Sequence, residues 1–138
     1  MKLFLDTNVL ASAAATRGLC ADVLREALAS HELIISEQVL RELRRVLRSK
    51  FRVDQELVDE FISLLEQETV FAHPSPLPGI KLEDRDDVAI VGAAIAGGAE
   101  VLVTGDKELL GLKRIKRMEL LSPRQFWEKL KAQHKPRG

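Results

Sequence analysis

Asp6 and Asp106 each close an apolar run, Leu3-Phe4-Leu5 before the first and Val101-Leu102-Val103-Thr104-Gly105 before the second. Such runs read as buried strands, and an open parallel α/β sheet keeps its ligand crevice at the carboxyl ends of its strands. Three more acids, Asp84, Asp86 and Asp87, cluster where a nearly all-apolar helix begins. At helical spacing Asp87 shares a face with Ile90, Val91 and Ala94, so it points into the fold. Glu42 falls about 100° from the centre of its own helix's apolar arc, at the edge of the buried face. Neither position is where a merely solubilising acid is expected.

Carboxylates gathered from separated parts of a chain repel one another and raise each other's pKa unless a positive group joins them. No matching set of buried bases is evident in the sequence. A hard divalent cation, Mg²⁺ or Mn²⁺, is the economical partner because it takes oxygen ligands together with water and substrate phosphates. Such an ion lowers the pKa of bound water and clamps the oxygens of an in-line phosphoryl displacement. The residues alone therefore point to an acidic metal site for phosphodiester cleavage.

The elements that must hold these acids alternate between strand and helix. Strands are expected at Leu3 to Leu5, Leu33 to Ile35, Val70 to Ala72, Val101 to Thr104 and, at the edge, Met118 to Leu121. Helices are expected over Ala21 to Ala29, after Ser36 as N-cap to about Lys50, and after Asp54 as N-cap. A further helix runs from near Asp87 to Gly97-Gly98, and Ser122-Pro123-Arg124-Gln125 is a capping box opening the last one. Pro74, Pro76, Pro78 and Gly79 read as a loop. The pattern is α/β, a mostly parallel central sheet in a three-layer α/β/α arrangement. One domain over residues 1–131 is expected, with a basic, disordered tail at 132–138.

Composition narrows the setting. The chain has 138 residues, 46% hydrophobic and 30% charged, as in an ordinary soluble domain. Cys20 is the single cysteine, so no internal disulfide is available, and a reducing cytoplasm is the expected compartment. Asp6 interrupts the amino-terminal apolar run too early for a signal peptide. The uncharged stretch from Val88 to Ala99 falls far short of the roughly 20 residues that cross a bilayer. Net charge is zero, which argues against tight nucleic-acid binding by bulk charge. The charges are nevertheless segregated: Arg41, Arg44, Arg45, Arg48, Lys50 and Arg52 precede an acidic run from Asp54 to Glu68.

Taken together, Asp6-Thr7-Asn8-Val9-Leu10, Ser36 followed by Glu42-Leu43, the Asp84 to Asp87 cluster, and Thr104-Gly105-Asp106-Lys107 with Leu109-Leu110 resemble the PIN-domain ribonucleases. The likeness runs from Lys2 to about Trp127 and is strongest to small prokaryotic single-domain members, many of them toxins similar to the VapC type. It implies a sheet of order 3-2-1-4-5, a Mg²⁺ or Mn²⁺ cofactor and endonucleolytic cleavage of RNA. It also implies a homodimer and an antitoxin partner that blocks the site. Carried over by position, the four acids are Asp6, Glu42, Asp87 and Asp106, with Asn8 and Thr104 supporting the first and fourth. Asp84 and Asp86 compete with Asp87 for the third place. Ala94, seven residues on from Asp87, favours Asp87 and leaves Asp84 or Asp86 as the N-cap.

Other readings stand beside this one. A phosphatase of the haloacid dehalogenase type would use Asp6 and the Gly105-Asp106 pair, but Asn8 stands where that family needs its second aspartate. A third reading is a non-catalytic receiver-like signalling or RNA-binding module; an aspartyl-phosphate receiver would need its phosphorylated Asp after the third strand, where Ala72-His73-Pro74 has none. The basic face of Arg41, Arg44, Arg45 and Arg48 is open to three readings: a solvated face, an RNA phosphate contact or an antitoxin surface. The run Lys113 to Arg117 reads as a solvated loop or an RNA contact, and Lys107 is placed to approach a phosphate. Glu37 complements its helix dipole. His31, His73 and His134 have no spacing that marks a metal site, and Trp127 and the five phenylalanines read mainly as core.

Overall fold

The structure is a computed structural model that describes residues 1–73, 79 and 82–133. The chain runs β1 (Lys2–Leu5), α1 (Thr7–Ala15), α2 (Leu19–Ser30), β2 (Glu32–Ser36), α3 (Glu37–Ser49), α4 (Gln55–Glu68) and β3 (Val70–Ala72). It continues with α5 (Arg85–Ala96), β4 (Val101–Val103), α6 (Lys107–Leu112), β5 (Arg114–Ile115), β6 (Met118–Leu121) and α7 (Pro123–Gln133). The strands form one sheet of order β3-β2-β1-β4-β6-β5. All neighbours are parallel except β5 and β6, which form an antiparallel hairpin.

The five strands read from the sequence keep the expected order, and β5 adds one strand outside them. Met118–Leu121 is therefore covered at its outer side, and Lys113 to Arg117 is a hairpin arm rather than a loop. Lys113, which ends α6, enters the arm at φ 60°, and its turn places Lys116 at φ 53°. Two residues of strand are too few to leave a periodic signal in the sequence.

Continuous apolar strands mean burial on both faces, and Leu3, Phe4, Leu33, Ile34, Ile35, Leu102 and Val103 are all buried. In register, Leu3 lies between Leu33 and Val101, and Phe4 between Ile34 and Leu102. Helix α1 packs on both α2 and α3, with α4 on α3 and α7 on α2, while α5 lies against β2 and β3. The buried stripe of α3, Val39, Leu40, Leu43 and Leu47, is the one its periodicity predicts.

Two helices escape that logic. In α1 the sequence Thr-Asn-Val-Leu-Ala-Ser-Ala-Ala-Ala has no polar stripe, and α6 is six residues long, so neither carries a clear 3.6-residue period. Ser36 caps α3 as expected, accepting from Val39 N at 3.3 Å. Asp54 holds the N-cap position of α4, but its side chain makes no capping bond. Ser122 and Gln125 exchange the two bonds of a capping box at the start of α7. That helix reaches Gln133, so Ala132 and Gln133 are helical rather than part of a disordered tail. Pro74, Pro76, Pro78, His134 and the remaining tail lie outside the described residues. Phe4 and Phe126 are core, whereas Phe71 is exposed beside an exposed Val70 on β3.

At the far end of α5, Gly97 meets the sheet at close range. A Cβ built there would stand 2.7 Å from Ile34 Cγ2 and 3.0 Å from Ala72 Cβ. Gly98 follows at φ 80°, a conformation that L side chains rarely adopt, and turns the chain toward β4.

Candidate metal-binding cleft

Among the described residues four polar side chains are buried, and all four lie at the carboxyl edge of the parallel strands: Asp6, Thr7, Ser36 and Thr104. Buried polar groups persist only where they are hydrogen-bonded, so each must have a partner. Asp6 follows β1 and caps α1, accepting from Val9 N at 3.0 Å through Oδ1. Its Oδ2 accepts from the Thr104 hydroxyl at the end of β4. The Thr104 Oγ1 in turn accepts from Asp106 N at 3.0 Å. A single relay, Asp106 amide to Thr104 to Asp6, thus ties two neighbouring strand ends together across 98 residues of sequence.

Asp106 is itself an N-cap. Its Oδ1 accepts from Glu108 N at 2.8 Å and Leu109 N at 3.1 Å, which leaves Oδ2 without a hydrogen bond among the described residues. Asp84 caps α5 through Asp86 N at 2.8 Å and is exposed. Asp87, in the first turn of α5, is half-buried, and its carboxylate accepts no hydrogen bond among the described residues. Glu42 is half-buried on α3 and held from two sides. Thr7 Oγ1 donates to Oε2 at 2.9 Å, and Gln38 Nε2 donates to Oε1 at 3.1 Å. Gln38 also reaches the Asp86 carbonyl at 3.3 Å, linking α3 to the start of α5.

These acids line one cleft of about 250 Å³ together with Thr7, Asn8, Arg45, Val46 and Ile90. Every acid picked out from the sequence is present in its wall: Asp6, Glu42, Asp84, Asp86, Asp87 and Asp106. Thr104 enters through its bonds to Asp6 and Asp106. Asn8 is exposed and bears on Asp6 through its backbone amide rather than its side chain. Lys107 is exposed on α6 and takes no part in the cleft wall.

The charge is poorly compensated. Burial raises the Asp6 carboxyl above its usual range, against the lowering effect of the Thr104 hydroxyl and the Val9 amide, and Asp106 adds to the rise. Burial and then the like charges of Asp106, Asp84, Asp6 and Glu108 push Asp87 up to about 6. These acids therefore act within one field. Among the described residues, no three His, Cys, Asp or Glu side chains stand close enough together to hold a metal ion in this conformation. The donors are nonetheless all hard oxygens, carrying excess negative charge of the kind a divalent cation offsets.

Sequence reasoning did not pick out the contacts of Thr7, Gln38 and Glu108. Gln38 lies four residues before Glu42 on one helix, a spacing that brings side chains together, so that bond had a local signal. Thr7 reaches Glu42 across 35 residues, and nothing local announces it.

The PIN-domain family model matches residues 2–108. No curated protein matches the chain significantly in sequence. Among solved structures, the chain is similar to VapBC2 of Rickettsia felis, solved bound to a DNA fragment from its promoter. That match has 22% identity and a TM-score of 0.63, covering 88% of this chain and 98% of the other. VapBC-1 of nontypeable Haemophilus influenzae matches at 19% identity and a TM-score of 0.62, covering 90% and 99%. VapC20 of Mycobacterium tuberculosis, a sarcin-ricin loop cleaving toxin, matches at 13% identity and a TM-score of 0.60, covering 85% and 98%. At these identities the likeness is one of fold.

Proposed function

The chain belongs to the PIN-domain family, and on that premise we propose that it is an endoribonuclease dependent on Mg²⁺ or Mn²⁺. The observation that carries this reading is that Asp6, Glu42, Asp87 and Asp106, from four separated segments, line one cleft at the carboxyl edge of the sheet. These four would hold the cation, with Asp84 as the helix cap beside them and Asp86 at the rim. A divalent cation held there would supply Lewis acidity, making water a better nucleophile near neutral pH and offsetting the charge that develops on the phosphate.

The chain's own groups supply orientation. The Thr104 hydroxyl and the Val9 amide hold both oxygens of Asp6, and Thr7 and Gln38 hold both oxygens of Glu42. Asp87 and Oδ2 of Asp106 are left as open donors. Outer hydrogen bonds of this kind fix ligand geometry and are worth about 10 to 100-fold in metal affinity or activity. Asn8 stands exposed where a haloacid dehalogenase-type phosphatase needs a carboxylate as general acid, so the phosphatase reading lacks a residue.

The fold likeness to VapC20 and the two VapBC complexes supports a finer reading, a toxin of a toxin–antitoxin pair. In that reading the protein is a cytoplasmic homodimer, RNA is its substrate, and an antitoxin covers the cleft. The test is cleavage of a labelled single-stranded oligoribonucleotide by the purified protein. Cleavage should vanish with EDTA and return with Mn²⁺ or Mg²⁺, and cleavage indifferent to the chelator would overturn the metal reading.

A further inference from the structure

Among the four arginines of the basic face of α3, the structure separates one from the rest. Arg44 pairs with Asp59 on α4 at 2.8 Å, and that guanidinium, with Gln55, holds the Asp59 carboxyl below its usual range. Arg48 donates to the Val53 carbonyl at 3.0 Å. Arg41 sits with Glu37 and Glu66 in a different groove of the surface. Arg45 lies three residues after Glu42, one helical turn along the same face, and among the described residues is the only basic side chain in the wall of the acidic cleft. It is exposed, and among the described residues its guanidinium makes no ion pair and no hydrogen bond, although six carboxylates line the same space.

A cation meant to neutralise those acids would be bonded to one of them, as Arg44 is to Asp59. Arg45 is held in reserve instead. A polyanionic strand approaching a wall of carboxylates is repelled, so a fixed cation beside them is needed to admit it. A guanidinium also matches a phosphate geometrically, offering two parallel N–H donors to two oxygens.

We propose that Arg45 binds a backbone phosphate of the RNA strand and so sets where the strand lies relative to the cleft carboxylates. The proposal rests on the ribonuclease reading above and adds the residue that engages the substrate's phosphate. The other arginines of the face are occupied by intramolecular partners or lie away from the cleft.

The test compares wild type with Arg45→Ala, Arg45→Lys and, as a control from the same face, Arg44→Ala. Each is assayed with a single-stranded oligoribonucleotide and Mn²⁺, and affinity for the same strand is measured across a salt series. Loss of one charge-assisted phosphate contact predicts a KM higher by roughly tenfold in Arg45→Ala, with a much smaller change in kcat. The slope of log affinity against log salt should fall by about 0.7, the share of one phosphate on a single strand. Arg45→Lys keeps the charge and should keep the slope, and Arg44→Ala should leave the slope unchanged. Because Arg45 is exposed and unbonded, melting temperatures should agree across its variants, which separates a substrate role from a structural one. Active wild type with an unaltered KM and slope in Arg45→Ala overturns the proposal while sparing the ribonuclease reading. Arg45→Lys and Arg45→Ala behaving alike would also overturn it. A wild type that neither binds nor cleaves RNA overturns both.

Discussion

Asp6 and Asp87, two acids of one cleft, are held on opposite principles. On the strand side, Asp6 is buried, caps a helix and has both oxygens bonded, with Thr104 tying it to the backbone of Asp106. On the helix side, Asp87 is half-buried and unbonded among the described residues, and its carboxyl is pushed to about 6 by burial and like charges. The bonded acid stores order and the unbonded one stores repulsion. The contrast teaches that a polar cleft can be rigid without being relaxed, because hydrogen bonds fix the geometry of one acid while leaving the charge of its neighbour uncompensated.

Removing either acid is the harshest way to probe that contrast. Both Asp6→Ala and Asp87→Asn should lower cleavage by at least about 100-fold, since changes merely behind a metal ligand already cost 10 to 100-fold. Their stabilities should diverge. Asp6→Ala loses a cap and strands the Thr104 hydroxyl, a cost of about 2–4 kcal/mol. Asp87→Asn removes a repelled charge and should raise the melting temperature of the metal-free protein at pH 7. The gain is roughly 1 kcal/mol once the shift of a partly exposed carboxylate is discounted for solvent screening. Thermal melts in EDTA check both signs, and equal destabilisation of the two variants would erase the contrast.

Thr104→Val is milder and isolates the relay. It keeps the volume but leaves the Asp106 amide and Asp6 Oδ2 without their partner, so it should cost about 1–3 kcal/mol and lower activity about 10 to 100-fold. Chemical denaturation and initial rates measure the two. A neutral result would mean that the strand side does not depend on the hydroxyl.

The smallest effect is a pH slope. A carboxyl whose folded pKa lies above the unfolded value of 3.8 binds its proton more tightly in the folded state. Ionising it therefore removes stability from the metal-free protein as pH rises from about 4 through 6, and Asp6, also raised, acts in the same direction. Divalent cations compete with that proton, so apparent Mn²⁺ affinity should rise over the same window. Melting curves from pH 4 to 8, with and without Mn²⁺, test this, and Asp87→Asn should flatten the metal-free slope.

The sequence announced the parallel strands because they are continuous apolar runs, and it announced α3 because a wide stripe of leucine and valine alternates with arginine. The capping signals at Ser36, Asp84 and Ser122 were equally local. What stayed hidden was either short or distant. The helix α6 and strand β5 are too brief for a period, and α1 is too uniformly small and apolar to show one. The candidate acids could be listed from their positions after strands and on helix faces. Their partners could not, because the bonds from Thr104 to Asp6 and from Thr7 to Glu42 exist only once the sheet has brought separated segments together. The basic face looked uniform for the same reason, since only the packing of α4 assigns Asp59 to Arg44 and leaves Arg45 to the cleft.

The glycine at the far end of α5 carries these local facts across the molecule. Gly97 touches Ile34 and Ala72 so closely that even a methyl group would collide, and the acids at the other end of the same helix, from Asp87 to Asp84, lie about 15 to 20 Å away at 1.5 Å per residue. The helix is a rod resting on an apolar fulcrum, and a shim under one end tilts the other. The spacing of the charges in the cleft is therefore inherited in part from a contact that contains no charge. A residue that no probe of the cleft would touch thereby belongs to its tolerances.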